Sequence, residues 1–133
     1  MEIDVLARVP LFAMLSKKDL ARLARKAVDR TFPAGRVLTA DGEIAASFGV
    51  VAEGRAAVSV HGRPVRTLGP SEYFGEMALI DHSNRSATIT AETDLRCLMF
   101  YAWDFRPFAM SHPETAWALL EAMVQRVRDA EAR

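Results

Sequence analysis

Hydrophobic positions along this chain change period twice. Leu20, Leu23, Ala24, Ala27 and Val28 recur at the spacing of one helical face, with Lys18, Arg22 and Arg25 opposite them. Ser16 and Asp19 precede that face as a start signal: the hydroxyl can accept an orphan backbone N–H, and the carboxylate sits in the positive first turn. A shorter helix through Val5, Leu6 and Val9 comes before it and ends at Pro10. The spacing predicts N-terminal helices over residues 1–28. From Arg30 to Tyr101 the rhythm becomes that of short strands: Arg36 to Ala40, Phe48 to Glu53, Arg55 to His61, Pro64 to Leu68, Ser86 to Ala91, and Leu95 to Tyr101. Gly35, Gly42, Gly54, Gly62 and Gly69 mark the breaks. Regular short strands with regular turns predict a sandwich or barrel of about eight strands rather than βαβ units. Ala87, Ile89 and Ala91 alternate with Ser86, Thr88 and Thr90, so one face of that strand turns inward; Cys97 alternates inward with Leu95 and Met99.

The helical period then returns. Phe105 and Phe108 occupy a short segment before Ser111, His112 and Pro113, and Pro113 with Glu114 opens a long helix. Trp117, Leu120, Val124 and Val127 form a stripe on it, flanked by Ala116, Leu119 and Met123. Trp117 is expected to pack in the core against the strands. The breadth of the apolar arc leaves room for a second copy or an effector protein to cover the rest.

Composition narrows the function classes. A chain of 133 residues reads as one domain, and half of its residues are apolar. Seventeen basic side chains balance seventeen acidic ones, so no general basic field for nucleic acid exists. The single cysteine, Cys97, is expected in the core; it excludes an internal disulfide and fits a reducing, cytoplasmic setting. Glu2 and Asp4 argue against a signal peptide, and no apolar run of about 20 residues is available to span a membrane. His61, His82 and His112 lie far apart, and no Gly-x-Ser-x-Gly frames a serine. Neither a metal site nor a catalytic residue is therefore expected, and the chain does not read as an enzyme.

One segment breaks the strand rhythm. Residues 73–88 read TyrPheGlyGluMetAlaLeuIleAspHisSerAsnArgSerAlaThr, a short helix opened by Gly75 between two strands, with Arg85 arriving after a loop. A helix start suits an anion, and a guanidinium can bind a phosphate with two charge-assisted hydrogen bonds. Glu76 would repel that phosphate, but it can accept a hydrogen bond from a sugar hydroxyl. Judged on these residues alone, Glu76 and Arg85 form either a structural ion pair, the commoner outcome, or the two ends of a grip on a ribose phosphate.

PheGlyGluMetAlaLeuIle followed by ArgSerAlaThr resembles the phosphate-binding cassette of the cyclic nucleotide-binding domain family. Phe74, Gly75, Glu76, Ala78, Leu79, Arg85, Ala87 and Thr88 stand at matching positions. ValProLeuPhe before a helix, PheProAlaGlyArgValLeu, AspGlyGlu and ValValAlaGluGlyArgAlaAlaVal extend the resemblance over nearly the whole chain. The resemblance implies a mainly β fold, an eight-stranded jelly roll (double-stranded β-helix) at 29–101 holding the cassette at 74–88, with N-terminal helices before it and C-terminal helices at 102–133. It implies a sensor for cAMP, or cGMP, that signals through its C-terminal helix, with no other cofactor. The ligand-binding set is Gly75, Glu76, Met77, Ala78, Arg85, Ser86 and Ala87. In it Glu76 takes the ribose 2′-hydroxyl, Arg85 takes the cyclic phosphate, and backbone N–H groups near Gly75, Ala78 and Ser86 complete the cradle. Arg126 and Trp117 are the lid candidates on the last helix. The alternative is a degenerate member of the family, an interaction scaffold without ligand. Two positions depart from the family's habit: Ser71 where glycine is common, and Asn84 where proline often precedes the arginine. Regulators of this family carry a DNA-binding helix pair after the long helix, and the chain stops at Arg133 without one, so it reads as a stand-alone sensor or a piece of a larger protein.

Overall fold

The computed structural model describes residues 2–39, 47–76 and 87–132. Helix α1 (Glu2–Ala7) and a 3₁₀ turn at Pro10–Phe12 lead into α2 (Lys17–Lys26). Ser16 caps α2 as the sequence predicts, its Oγ accepting the Asp19 N–H at 3.1 Å. The helix stops earlier than its apolar spacing implies. Ala27 is already extended, and Val28, expected on the helix face, begins strand β1 (Val28–Phe32). Pairing overrides helical periodicity here: β1 runs along a later strand from Val28↔Met99 to Phe32↔Leu95, and Arg96 clasps Asp29 across that ladder at 2.6 Å.

The strands that follow are β2 (Val37–Thr39), β3 (Ser47–Glu53), β4 (Ala56–Val60), β5 (Arg63–Leu68), β6 (Tyr73–Phe74), β7 (Thr88–Ala91) and β8 (Leu95–Tyr101). Each of the six runs foreseen in the sequence contributes a strand, and β1 and β6 complete the eight. They form two four-stranded antiparallel sheets, ordered β1-β8-β3-β6 and β2-β7-β4-β5, the jelly-roll arrangement expected.

Two apolar layers flank the first sheet. Phe32, Val51, Ile89, Leu95, Cys97 and Met99 fill the space between the sheets. Phe48, Val50, Leu98 and Phe100 point the other way and meet Leu6, Phe12 and Leu23 from the N-terminal helices. Strands β3 and β8 are thus covered on both faces, which is why they read as nearly unbroken apolar runs. Phe48 sits at the centre of the second layer, its ring 5.5 to 6.3 Å from those of Tyr73, Phe100, Phe105 and Phe12.

The C-terminal part is two helices, α3 (Ala102–Ser111) and α4 (Pro113–Glu131), joined at His112. Phe105 and Phe108, expected in a short segment, lie within the ten residues of α3 and are buried against the N-terminal helices. Helix α4 faces the domain with Thr115, Leu119 and Met123. Trp117 is therefore not a core residue: it is 65 % exposed, and Leu120, Val124 and Val127 on the same stripe are more than half exposed. A helix lying on a surface buries one arc. Leu119 with the small Ala118 and Ala122 lets α4 approach closely, and the bulkier stripe is left on the far side.

Candidate functional site

Strand β6 delivers the candidate carboxylate. Phe74 is paired with Gly49 of β3 and buried between the sheets. A side chain at Gly49 would collide with it, since an added Cβ would lie 2.3 Å from the Phe74 ring and 2.9 Å from the Met99 sulfur. Glycine at that position is what seats Phe74, and Phe74 anchors the residues after it. Gly75 then takes φ +80°, a left-handed conformation that costs glycine nothing. Glu76 follows it into the protein, only 3 % exposed.

A buried carboxylate needs a partner, because its desolvation is otherwise uncompensated. The partner is Arg126 of α4, whose Nη1 donates to Glu76 Oε1. Two residues singled out separately in the sequence, a ribose acceptor and a lid candidate, thus meet across 50 positions of chain. The Arg126 side chain is itself 44 % exposed, so the pair sits at the edge of the domain with its acid inside and its base reaching in from the surface.

Tyr73 belongs to the same cluster and was not singled out from the sequence. Burial raises its phenol above the usual tyrosine value, the Glu76 charge adds to that, and Arg126 and Arg66 oppose it. The signal was present: Tyr73 directly precedes the Phe-Gly-Glu run, and alternation along β6 turns it toward Phe48 when Phe74 faces the other way.

Ser71, where the family often has glycine, is held just before β6 with φ +67°, a left-handed conformation. A non-glycine residue there carries strain of roughly 1 kcal/mol. Its hydroxyl gains something in return, donating to the Val5 carbonyl of α1 at 3.0 Å. That bond contributes about 1 kcal/mol and ties α1 to the site's leading strand.

Of the predicted ligand-binding set, Gly75, Glu76 and Ala87 lie among the described residues. Ala87 is half-buried and packs on the layer between the sheets. Met77, Ala78, Arg85, Ser86 and the departing Asn84 lie outside the described residues, as does the short helix expected after Gly75. The lid candidates separate: Arg126 reaches Glu76, and Trp117 faces outward. Among the described residues no group of His, Cys, Asp or Glu is placed to hold a metal ion, and no helix is long and apolar enough to cross a membrane. Cys97 is fully buried, and burial pushes its thiol up to about 12, which leaves it inert as a nucleophile.

The jelly roll thus buries a carboxylate just past a strand end and meets it with its C-terminal helix. The cyclic nucleotide-binding domain model matches residues 29–112, and the chain belongs to that family. It is 38 % identical over 123 residues to a cyclic nucleotide-gated potassium channel of Rhizobium etli, covering 92 % of this chain and 34 % of the channel. It is 28 % identical to the cyclic AMP receptor protein of Thermus thermophilus, covering 92 % of this chain and 59 % of the receptor. The crystal structure of Thermus thermophilus catabolite activator protein superposes with a TM-score of 0.87 at 28 % identity, over 92 % of this chain and 60 % of that one. The chain spans about a third of the channel's length.

Proposed function

We propose that this chain is a cyclic nucleotide sensor that binds cAMP and reports occupancy through α4. The observation that carries the reading is the burial of Glu76 in a pair with Arg126. The ribose 2′-hydroxyl of the nucleotide donates to Glu76, and Arg85 takes the cyclic phosphate with the backbone N–H groups around Gly75, Ala78 and Ser86. The hydroxyl and the guanidinium are both donors, and in this reading the ribose takes the Glu76 Oε1 that Arg126 holds in the free protein. Occupancy of the site therefore displaces Arg126 and frees α4 to move. The choice of cAMP over cGMP rests on the resemblance and on the receptor relative. Reaction chemistry has no place in this mechanism: the module binds and does not transform its ligand.

Titration of the protein with cAMP and cGMP by calorimetry tests it. Heat and a thermal shift are expected with cAMP first; neither signal with either nucleotide at millimolar concentration would end the reading. Arg126→Ala sharpens the test. Removing the guanidinium leaves Glu76 buried and unpaired, so the free protein is expected to lose about 1–3 kcal/mol of stability and to gain affinity for the nucleotide. Arg126 is well exposed, which keeps that figure below the cost of breaking a fully buried pair.

The same pair favours one alternative. If Arg126 satisfies Glu76 permanently, the site is closed and the domain serves as an interaction scaffold. Arg126→Ala would then cost stability without conferring any nucleotide binding.

The proposed protein partner is a second copy. Trp117, Leu120, Val124 and Val127 repeat at the alternating three- and four-residue spacing of a two-helix seam and are exposed together. Glu121 and Arg128 flank the stripe on one side, so an antiparallel pairing of two α4 helices sets Glu121 of one opposite Arg128 of the other. Sedimentation equilibrium should show a concentration-dependent dimer. Glu121→Arg should weaken it, and Glu121→Arg with Arg128→Glu should restore it. A monomer at all concentrations rules the pairing out. Balanced charge and the lone, buried Cys97 fit a partner other than nucleic acid and a reducing, cytoplasmic setting.

A further inference from the structure

The junction at the root of α4 holds a second charged cluster, remote in sequence from Glu76. His112 is the non-helical residue between α3 and α4, with φ −131° and ψ 79°. Its backbone N–H donates to the Ala109 carbonyl at 3.2 Å, and its own carbonyl accepts the Thr115 N–H at 2.9 Å. It therefore closes one helix and opens the next. The imidazole stacks on Phe108 with centroids 4.1 Å apart and planes 17° from parallel.

Both ring nitrogens face oxygen acceptors. Nδ1 lies 2.9 Å from the Phe108 carbonyl, and Nε2 lies 3.2 Å from Asp19 Oδ1 on α2. A carbonyl and a carboxylate can only accept, so satisfying both contacts requires a hydrogen on each nitrogen. That is the imidazolium form. A neutral ring has one N–H and would turn a lone pair toward one of the two oxygens.

The surrounding charges come from each packed element. Helix α2 supplies Asp19, with Arg22 at 3.9 Å from the same oxygen. Helix α4 supplies Glu114, which also favours the charged ring. Helix α3 supplies the Phe108 carbonyl and the Ser111 hydroxyl, which lies 3.3 Å from Nδ1.

We propose that His112 is a proton-operated clamp that fixes the root of α4 to α2, closed in mild acid and loosened as the medium becomes alkaline. The electrostatics agree with the geometry. The bond to the Phe108 carbonyl raises His112 above its ordinary value of 6.5, burial pulls it partly back, and Asp19 raises it again. The His112 hydrogen bond in turn holds Asp19 below 3.8, against the opposing effect of burial. A raised histidine contributes stability that is fully present below 6.5 and disappears as pH rises through its higher folded value. A lowered aspartate contributes stability that is present above 3.8 and disappears as pH falls through its lower folded value. The clamp therefore holds between the loss of charge on Asp19 and the loss of the proton on His112. The assignment is independent of any nucleotide, because it rests on contacts between α2, α3 and α4 alone.

Ring-proton NMR titration of the full chain tests it, with the His112 resonance assigned through His112→Gln. His112 is expected to titrate above 6.5, and Asp19→Asn to lower that value by about half a unit or more. Amide exchange over residues 114–120, corrected for the intrinsic pH dependence, should be about threefold or more slower at pH 6 than at pH 8. In His112→Gln the difference should vanish while the circular dichroism stays native. A His112 that titrates as a free imidazole and ignores Asp19→Asn overturns the clamp. So does pH-independent protection of the first turns of α4 in the parent protein.

Discussion

Arg85→Ala is expected to abolish binding of cAMP at concentrations that saturate the parent, with the unfolding temperature of the free protein unchanged. Under the proposed function Arg85 is the one side chain that meets the phosphate charge. Truncating one member of a charge-assisted, bidentate contact costs about 2–5 kcal/mol, or roughly 30- to several-thousand-fold in affinity. Lysine keeps the charge and loses the fork, so Arg85→Lys should fall between the two. Calorimetry with the three proteins side by side is the check. Parent-like binding by Arg85→Ala would remove the phosphate role from this residue. It would leave the fold assignment untouched, since that rests on strand pairing and packing.

Phe48→Ala is expected to have the largest effect on stability. The ring is fully buried and touches four other aromatic rings drawn from the N-terminal turn, β6, β8 and α3. Phenylalanine-to-alanine changes in such positions cost about 3–5 kcal/mol. For a domain of this size that corresponds to a fall of about 10–20 °C in Tm. Denaturant unfolding with an unchanged slope gives the number directly. A loss under about 1 kcal/mol would mean that the helical layer repacks freely and that β3 is not the joint between helices and sheets. Because Phe48 also supports Tyr73, the variant should loosen the strand that presents Glu76.

Much of this architecture is legible in the sequence because the β-runs are short and glycine-bounded, and because alternation in β7 declares which side is inward. Strand β1 is not legible. Its residues are mostly exposed, and Val28 continues a helical stripe by accident of spacing; only the ladder with β8 reveals it. Strand β6 has only two residues, too few to stand out as a strand, yet it leads directly to the carboxylate. The outward position of Trp117 is not legible for a related reason: a helix with two apolar arcs does not say which one meets the domain. Within the candidate site, Glu76 and Arg126 were each recognisable by residue type and by resemblance. Their meeting was not, because a pair separated by 50 positions has no local signature. Read locally, Glu76 pairs with Arg85; the described residues give it a partner from another element.

Cys97 has one more consequence. Its sulfur sits between the two sheets with no exposed surface, and its proton is held until about pH 12. A thiol-directed dye therefore has nothing to react with until the sheets part. The chain carries a single such group, so the labelling rate under native conditions is a stopwatch for that separation, obtained without introducing a reporter. Ligands, partners or substitutions that hold the two sheets together will each announce themselves as a slower clock.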